Sequence, residues 1–519
     1  MKDTFKTFLI LLALWLFHCL NNFYILSHSQ YVVAPDGVGY LNAICSVAEV
    51  LRETKLALKS MYYTYNQIAT LNYSRPPLFF LTAVPFYNIA FDKNLIAMSN
   101  MLYFAILLFA TYGIGKQLYN PFVGLLSAFL VSMFPAIFAM SRVIMIDFAL
   151  TAMVALGCFV FTLNRFNRLK FSLLSGLVMG LGLLTKQAYA VFLVPLLAYF
   201  FSFKQNRTGI RLRNFILSII VAIVLVFHCY FLSSYDYSLL IFLCHFNTAL
   251  FFYVTNMFHF QLLPFFFILF VVSLIVAFWS KKIFLPTMVV ALCIIFSLSP
   301  NRSGRLILPI LPYIAVMIAG FILSFKRKRS LIVASIIVIS VFQYIAISYQ
   351  TKNNFLIRLA RNLLEKDFRS FSSHSYDEGL FGLVNDGDWQ VPAGQVLAII
   401  NATAVNKDSD LIVTLIFNEN DGRTVASLEY KVIGQKSIRM RKSNLDDIYL
   451  NTPDLFRRNP LKDIMESKFV IIGRQAPQYK YAQLLLKAFS GIRDQFELIK
   501  TIFWPDGTVC YLYKRREGA

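Results

Sequence analysis

The chain has 519 residues, 58% of them hydrophobic, with a mean hydropathy of +0.61 and a formal net charge of +22. Soluble globular domains are usually about 45–50% apolar, so this composition excludes an ordinary soluble protein. A strongly basic chain can bind nucleic acid, but here 25 Lys and Arg against seven acids fall in residues 1–349, and 24 against 20 in residues 350–519. The excess therefore lies in loops between apolar runs, where Lys and Arg stay cytoplasmic. No basic groove interleaved with aromatics is evident, so no nucleic-acid partner is expected.

Lys2 and Lys6 precede an apolar run from Phe8 to about Leu26. No small-residue cleavage site follows, so the run reads as an uncleaved first transmembrane helix with its N-terminus inside. The first outer loop, residues 28–93, opens with Tyr31-Val32-Val33-Ala34-Pro35-Asp36-Gly37-Val38-Gly39-Tyr40. Its Pro-Asp-Gly is turn-prone and carries an isolated carboxylate. Glu49, Arg52, Glu53, Lys55 and Lys59 then interleave with Val50, Leu51, Leu56 and Met61, as in an amphipathic helix on the membrane surface. Tyr73-Ser74-Arg75-Pro76-Pro77-Leu78 leads into an apolar run to Ala90, too short to span and interrupted by Pro85.

Further spans are expected at 94–115, 121–139, 148–164, 171–185, 187–203, 214–232, 260–280, 283–299, 306–324 and 330–349, about eleven in all. The basic clusters at Lys116, Arg165 to Lys170, Lys204 to Arg213, Lys281-Lys282 and Lys326 to Arg329 then fall on the side of the N-terminus. An odd span count places residues 350–519 outside. The Phe- and Tyr-rich segment 239–258 is left out of the span count, and the aromatic stretch Phe242–Phe260 is read as packing. Residues 1–349 thus form a membrane domain and 350–519 a soluble domain of α+β or α/β type. In the latter a basic helical stretch covers 354–370. Strands are expected at Val396–Ile400, Leu411–Phe417, Thr424–Val432 and Phe469–Gly473, a helix at Tyr481–Phe489, and a hairpin from Phe496 to Tyr513. The seven cysteines show no CxxC pair and the six histidines no ligand spacing. No metal site and no cofactor are expected.

This topology collects a distinctive set on the outer side: Asp36 and Arg75 in the first loop, Arg142 and Asp147 in Ser141-Arg142-Val143-Ile144-Met145-Ile146-Asp147, Lys186, and Arg302 with Arg305. Charges at membrane depth are costly and functional by default. The set suits a polyprenyl-phosphate sugar donor, whose tail wants the bilayer. Its departing phosphate needs cations, and an acceptor hydroxyl or amine needs a carboxylate. Each member also has a plainer reading. Asp36 suits a turn, Asp147 could pair with Arg142, and the cations could snorkel to headgroups.

Five segments resemble the membrane glycosyltransferases of the GT-C fold, of the type that includes protein O-mannosyltransferases and the lipid A aminoarabinose transferase. They are Pro35–Tyr40, Arg75–Leu78, Ser141–Asp147, Gly182-Leu183-Leu184-Thr185-Lys186 and Arg305–Pro312, in order and on one side. The resemblance implies a glycosyltransferase of a bacterial inner membrane. It would move a sugar from a polyprenyl-phosphate donor to a lipid, glycan or protein acceptor. Asp36 would be the general base or acceptor-orienting carboxylate and Asp147 a supporting acid. Arg75, Arg142, Lys186, Arg302 and Arg305 would hold the phosphate. Where relatives often carry a second acid, this chain has Gly37, which favours a single-base site without metal. Arg305 is followed by Leu306 and not by Tyr. The competing class is a transporter or flippase for a lipid-linked or anionic substrate. Such proteins usually show internal repeats, and none is detected.

Overall fold

The computed structural model describes residues 2–28, 35–53, 76–90, 92–202, 209–227, 250–298, 303–325, 327–349, 395–400, 411–416, 438–442, 460–473, 480–504 and 509–516. These residues divide into two compact units. One contains residues up to 28 and the helices from residue 43 to Tyr349. The other contains residues 35–42 and those from 395 onward.

The described residues of the first unit are mainly helical. It runs α1 (Lys2–His28), α2 (Pro35–Glu53, of which residues 43–53 belong here), α3 (Leu78–Ile89), α4 (Lys93–Ala97), α5 (Asn100–Leu118), α6 (Pro121–Met133), α7 (Pro135–Met140), α8 (Ile146–Asn164), α9 (Leu169–Thr185), α10 (Tyr189–Ser202) and α11 (Gly209–Phe227). Then follow α12 (Leu250–Asn256), a π-turn (Met257–Gln261), α13 (Leu263–Trp279), α14 (Phe284–Ser297), a 3-10 segment (Gly304–Ile310), α15 (Leu311–Ile322) and α16 (Arg329–Ser348).

Among the described residues, six helical stretches are long and apolar enough to cross a membrane: Thr4–His28, Lys93–Leu118, Ile146–Leu163, Gly209–Phe227, Gly304–Ile322 and Arg329–Ser348. Six shorter apolar helices accompany them, among them α3, α9, α10 and α13. Helices apolar on every face are stable only in a protein interior or a bilayer, so the chain is a multi-pass membrane protein. Burial separates centre from rim. The Gly304–Ile322 stretch is 78% buried, whereas Gly209–Phe227 is 22% and Arg329–Ser348 only 17% buried. The last two present their remaining apolar surface outward, to lipid.

Local chemistry explains several element ends. Asp92, one of the few acids in this half, accepts hydrogen bonds from the backbone N–H of Asn94 and Leu95 and so caps α4. Asn120 caps α6 through Val123 N, with Pro121 at the first helical position. Gly176 and Gly180, four apart on α9, meet α11 where any Cβ would overlap Ser218 or Leu225. Such small residues let backbones approach closely in a membrane, where packing drives helix association.

Two sequence expectations change here. The span expected at 121–139 is broken: Phe134 is extended, as a residue before proline tends to be, and Pro135 starts a separate short helix. The turn expected at Pro35-Asp36-Gly37 is the start of α2. Proline is pre-organised for the first helical position, and an acid in the first turn meets the positive end of the helix dipole. The buried face of α2 recurs at helical spacing in Val38, Leu41, Ile44, Ala48 and their neighbours, while Glu49 and Arg52 stay out. The amphipathic surface helix expected from Glu49 to Met61 falls further on, and its residues 54–61 lie outside the described residues. Arg52 donates to Asn88 at 2.9 Å and lies over the Tyr87 ring, which ties α2 to α3.

The second unit has one five-stranded sheet built from β1 (Leu411–Ile416), β2 (Ile438–Lys442), β3 (Phe469–Gly473), β4 (Phe496–Phe503) and β5 (Val509–Arg515), in the order β2-β1-β3-β5-β4. β1 runs parallel to β2 and β3, and β5 is antiparallel to β3 and β4. Residues of β3 alternate between faces. Phe469 and Ile471 join Val396 and Ile400 in one core, and Val470 joins Ile464, Leu485 and Phe489 in the other. Ile464 lies on α17 (Pro460–Met465), and Leu485 and Phe489 lie on α18 (Lys480–Gly491). Helices cover both faces, the α/β arrangement of the two that were open. Residues 395–400 are helical and not the expected strand, and β2 was not anticipated. The stretches 354–370 and 424–432 lie outside the described residues.

Candidate active site

The site of the first unit is built around one irregular segment. The break at Pro135 turns the chain into the short α7, after which residues 141–145 cross to the start of α8. Met145 is extended and Asp147 falls in the first turn of α8, where the helix dipole favours a negative charge. Asp147 is only 1% exposed, and its Oδ1 accepts from Lys186 Nζ at 2.6 Å. Its Oδ2 has no hydrogen-bond partner among the described residues. Lys186 is 22% exposed and so reaches the boundary of the protein.

Lys186 is held where α9 stops. It sits in extended conformation as the C-cap of that helix, its N–H bonded to Gly182 O, and the next turn begins with Tyr189 N donating to Lys186 O. The Tyr189 ring is fully buried against α8 and α9, and a Cβ at either Gly157 or Gly182 would overlap it. A large ring thus fills the space that two glycines leave, and it fixes the turn that presents Lys186.

Arg305 approaches the same place from the 3-10 segment, which packs on α8; its Nη1 lies 3.9 Å from Met145 Sδ. Gln261, in the π-turn, donates to Gly304 O at 2.8 Å and to Asn256 Oδ1 at 2.7 Å, which fixes the start of that segment. π-turns within helices are frequent at functional sites.

Arg142 occupies a different environment. It is 2% exposed, and its Nε donates to Asn22 Oδ1 at 3.0 Å. Its Nη2 donates to Tyr344 OH at 3.1 Å and Ser348 Oγ at 2.8 Å. The guanidinium also lies over the rings of Phe138 and Tyr344. The ion pair considered between Arg142 and Asp147 is replaced by Asp147–Lys186, because Lys186 comes to the carboxylate from the end of α9 while Arg142 turns toward α1 and α16. The polar residues that receive it, Asn22, Tyr344 and Ser348, were not singled out from sequence, nor was Asn100, which donates to Val143 O at 2.7 Å. Their signal was an isolated amide or hydroxyl within an apolar span.

Asp36 is half-buried in the first turn of α2 and packs with the second unit. Arg75 and Arg302 lie outside the described residues. Among the sequence-derived residues, the structure therefore pairs Asp147 with Lys186 and sets Arg305 against Met145, two residues before Asp147, with Arg142 on the same segment. Among the described residues no three His, Cys, Asp or Glu side chains group closely enough to hold a metal ion.

Comparison with known proteins gives the fold. A family model described as dolichyl-phosphate-mannose-protein mannosyltransferase matches residues 74–233. No curated protein matches the chain in sequence. The structure of ArnT from Cupriavidus metallidurans in the apo state aligns with a TM-score of 0.62 at 12% identity, covering 99% of this chain and 98% of that one. The same protein bound to undecaprenyl phosphate aligns with a TM-score of 0.57, again at 12% identity and over 98% of both chains. The oligosaccharyltransferase of Archaeoglobus fulgidus in the apo form aligns with a TM-score of 0.52 at 11% identity, covering 98% of this chain and 74% of that one. The chain has the fold of the GT-C membrane glycosyltransferases, completed by a small C-terminal sheet domain.

Proposed function

We propose that this protein is a glycosyltransferase that moves a sugar from a polyprenyl-phosphate donor to a lipid, glycan or protein acceptor at the outer face of the membrane. The observation that carries this reading is the Asp147–Lys186 pair, 1% and 22% exposed, where apolar helices end, with Arg305 against Met145 two residues before Asp147. A cation at that boundary can meet the phosphate of a lipid whose tail stays in the bilayer. The shared fold with a protein crystallised with undecaprenyl phosphate supports the donor class.

In the proposed reaction an acceptor oxygen or nitrogen attacks the anomeric carbon, the bond from that carbon to the phosphate oxygen breaks, and the sugar is inverted. Asp36 takes the acceptor proton or orients the acceptor. Lys186 and Arg305, with Arg75 and Arg302, stabilise the charge that gathers on the departing phosphate. Asp147 holds the Lys186 ammonium and limits its motion. The positive-inside pattern supports an orientation with this face outside, the N-terminus cytoplasmic and residues 350–519 extracytoplasmic.

The direct test is transfer by purified protein from a polyprenyl-phosphate sugar. Asp36→Asn should abolish transfer while the protein remains folded and inserted. An active Asp36→Asn protein would remove Asp36 from its role.

A further inference from the structure

Arg142 was expected among the phosphate cations, yet its surroundings are those of a structural joint. Among the described residues its Nε donates to Asn22 and its Nη2 to Tyr344 and Ser348, at 2.8–3.1 Å. Asn22 comes from α1 and the other two from α16, the first and last apolar helices of the unit. The Asn22 side chain holds the segment at two points: its Oδ1 accepts from Arg142, and its Nδ2 donates to Ser141 Oγ at 2.8 Å and also to Met101 Sδ at 3.6 Å. On the other flank Asn100 holds Val143 O at 2.7 Å. Residues 141–143 are thus gripped from three helices, four residues before Asp147.

We propose that Arg142 is a positioning residue: it clamps the segment 141–147 between α1 and α16 and so fixes the carboxylate of Asp147 against Lys186. The physical reason is that both ends of the clamp are needed. α16 is mostly lipid-facing and, apart from the Tyr349 hydroxyl at its end that donates to Asn21 Oδ1, its other contacts among the described residues are largely apolar, and such contacts specify position weakly in a bilayer. A buried guanidinium with fixed acceptors on both helices specifies one arrangement, because any sliding leaves a buried charge without its partners. Charge-assisted hydrogen bonds also give the joint direction. The helix that begins at Ile146 then carries that precision to Asp147 one residue on. The relevance of this precision to transfer rests on the proposed glycosyltransferase reading; the clamp itself does not.

The test uses the full chain in micelles, with Arg142→Gln, Asn22→Ala, Ser348→Ala and Ser348→Thr. Three quantities are read: hydrogen exchange of the backbone amides of 141–147, affinity for undecaprenyl phosphate, and kcat and KM for transfer. The expected result is exchange in 141–147 faster by about tenfold or more in Asn22→Ala and Ser348→Ala. In the same variants kcat falls by about tenfold or more, as for a small misplacement of a reacting group. The donor KM and the undecaprenyl phosphate affinity change less than about twofold. Ser348→Thr, which keeps the acceptor, recovers most of the loss. Unchanged exchange in both Asn22→Ala and Ser348→Ala would overturn the clamp. So would Arg142→Gln weakening undecaprenyl phosphate binding about tenfold while the other two bind normally, because Arg142 would then be a phosphate ligand. If the unaltered protein neither binds the lipid phosphate nor transfers sugar, the functional reading fails, and the exchange measurement still decides the clamp.

Discussion

Replacing Lys186 with Gln removes the ammonium from Asp147 and leaves a carboxylate that is 1% exposed, with its Oδ2 already lacking a hydrogen bond among the described residues. Breaking a buried pair by deleting one partner costs about 3–5 kcal/mol. Lys186 is 22% exposed, so water can partly replace it, and the lower end, about 3 kcal/mol, is expected. Asp147→Asn leaves an amide that can still accept one hydrogen bond, and should cost less, about 1–2 kcal/mol. In the double variant no charge is buried, so much of the loss should return. The coupling between the two sites should then be about 1–3 kcal/mol. Reversible unfolding in detergent gives the four stabilities of the cycle, and transfer is assayed on the same samples. Additive single effects, with coupling below about 0.5 kcal/mol, would refute an energetically important pair. A double variant that regains stability but not transfer assigns Lys186 to the chemistry. One that regains both would leave the pair as a structural feature alone.

Other outcomes follow from particular contacts. Gly157→Ala and Gly182→Ala each push a methyl into the Tyr189 ring and should destabilise by about 1–3 kcal/mol on thermal unfolding. Tyr189→Phe should change stability by less than about 1 kcal/mol, since the hydroxyl has no hydrogen bond among the described residues. Pro135→Ala allows α6 to continue through Phe134; transfer should fall by about tenfold or more while the unfolding midpoint moves little. Cys45 sits on the surface helix α2, and burial pushes its thiol up to about 11. Because the thiolate is the reactive form, alkylation of a variant retaining only Cys45 should be slow at neutral pH and rise about tenfold per pH unit through pH 9 to 10. A plateau near the ordinary thiol value of 9.0 would contradict that burial.

The long apolar runs made the membrane helices legible, because a bilayer demands length and apolarity before anything else. What those runs hide is where a helix stops. Residues 121–139 are apolar apart from Ser127 and Ser132, and the geometry imposed by Pro135 divides them. The partner of Asp147 was equally hidden. Arg142 is five residues away and Lys186 thirty-nine, yet the end of α9 delivers Lys186 and the turn after α7 directs Arg142 to α1. Asn22 looked like any polar residue near the end of a span. In the second unit Val396-Leu397-Ala398-Ile399-Ile400 is a short apolar run, which periodicity cannot assign to helix or strand. β2 escaped notice for the opposite reason. Its sequence Ile438-Arg439-Met440-Arg441-Lys442 carries three cations, as suits a strand at the edge of the sheet formed by the described residues, where charges discourage pairing with another chain.

The candidate site was legible as a list of isolated charges and not as an arrangement. Charge in an apolar chain is conspicuous, so Asp147, Lys186 and Arg305 stood out without any fold. Their roles depend on which helix end meets which, and that is a property of packing.

The most direct measurement is release of polyprenyl phosphate and formation of glycosylated acceptor from a labelled polyprenyl-phosphate sugar by the purified protein. The expected result is turnover by the unaltered chain and none by Asp36→Asn or Lys186→Gln, each shown to be folded by its unfolding midpoint. Turnover by Asp36→Asn and Lys186→Gln equal to that of the unaltered protein, or none by any of the three with a range of sugar donors and acceptors, would contradict the proposed function.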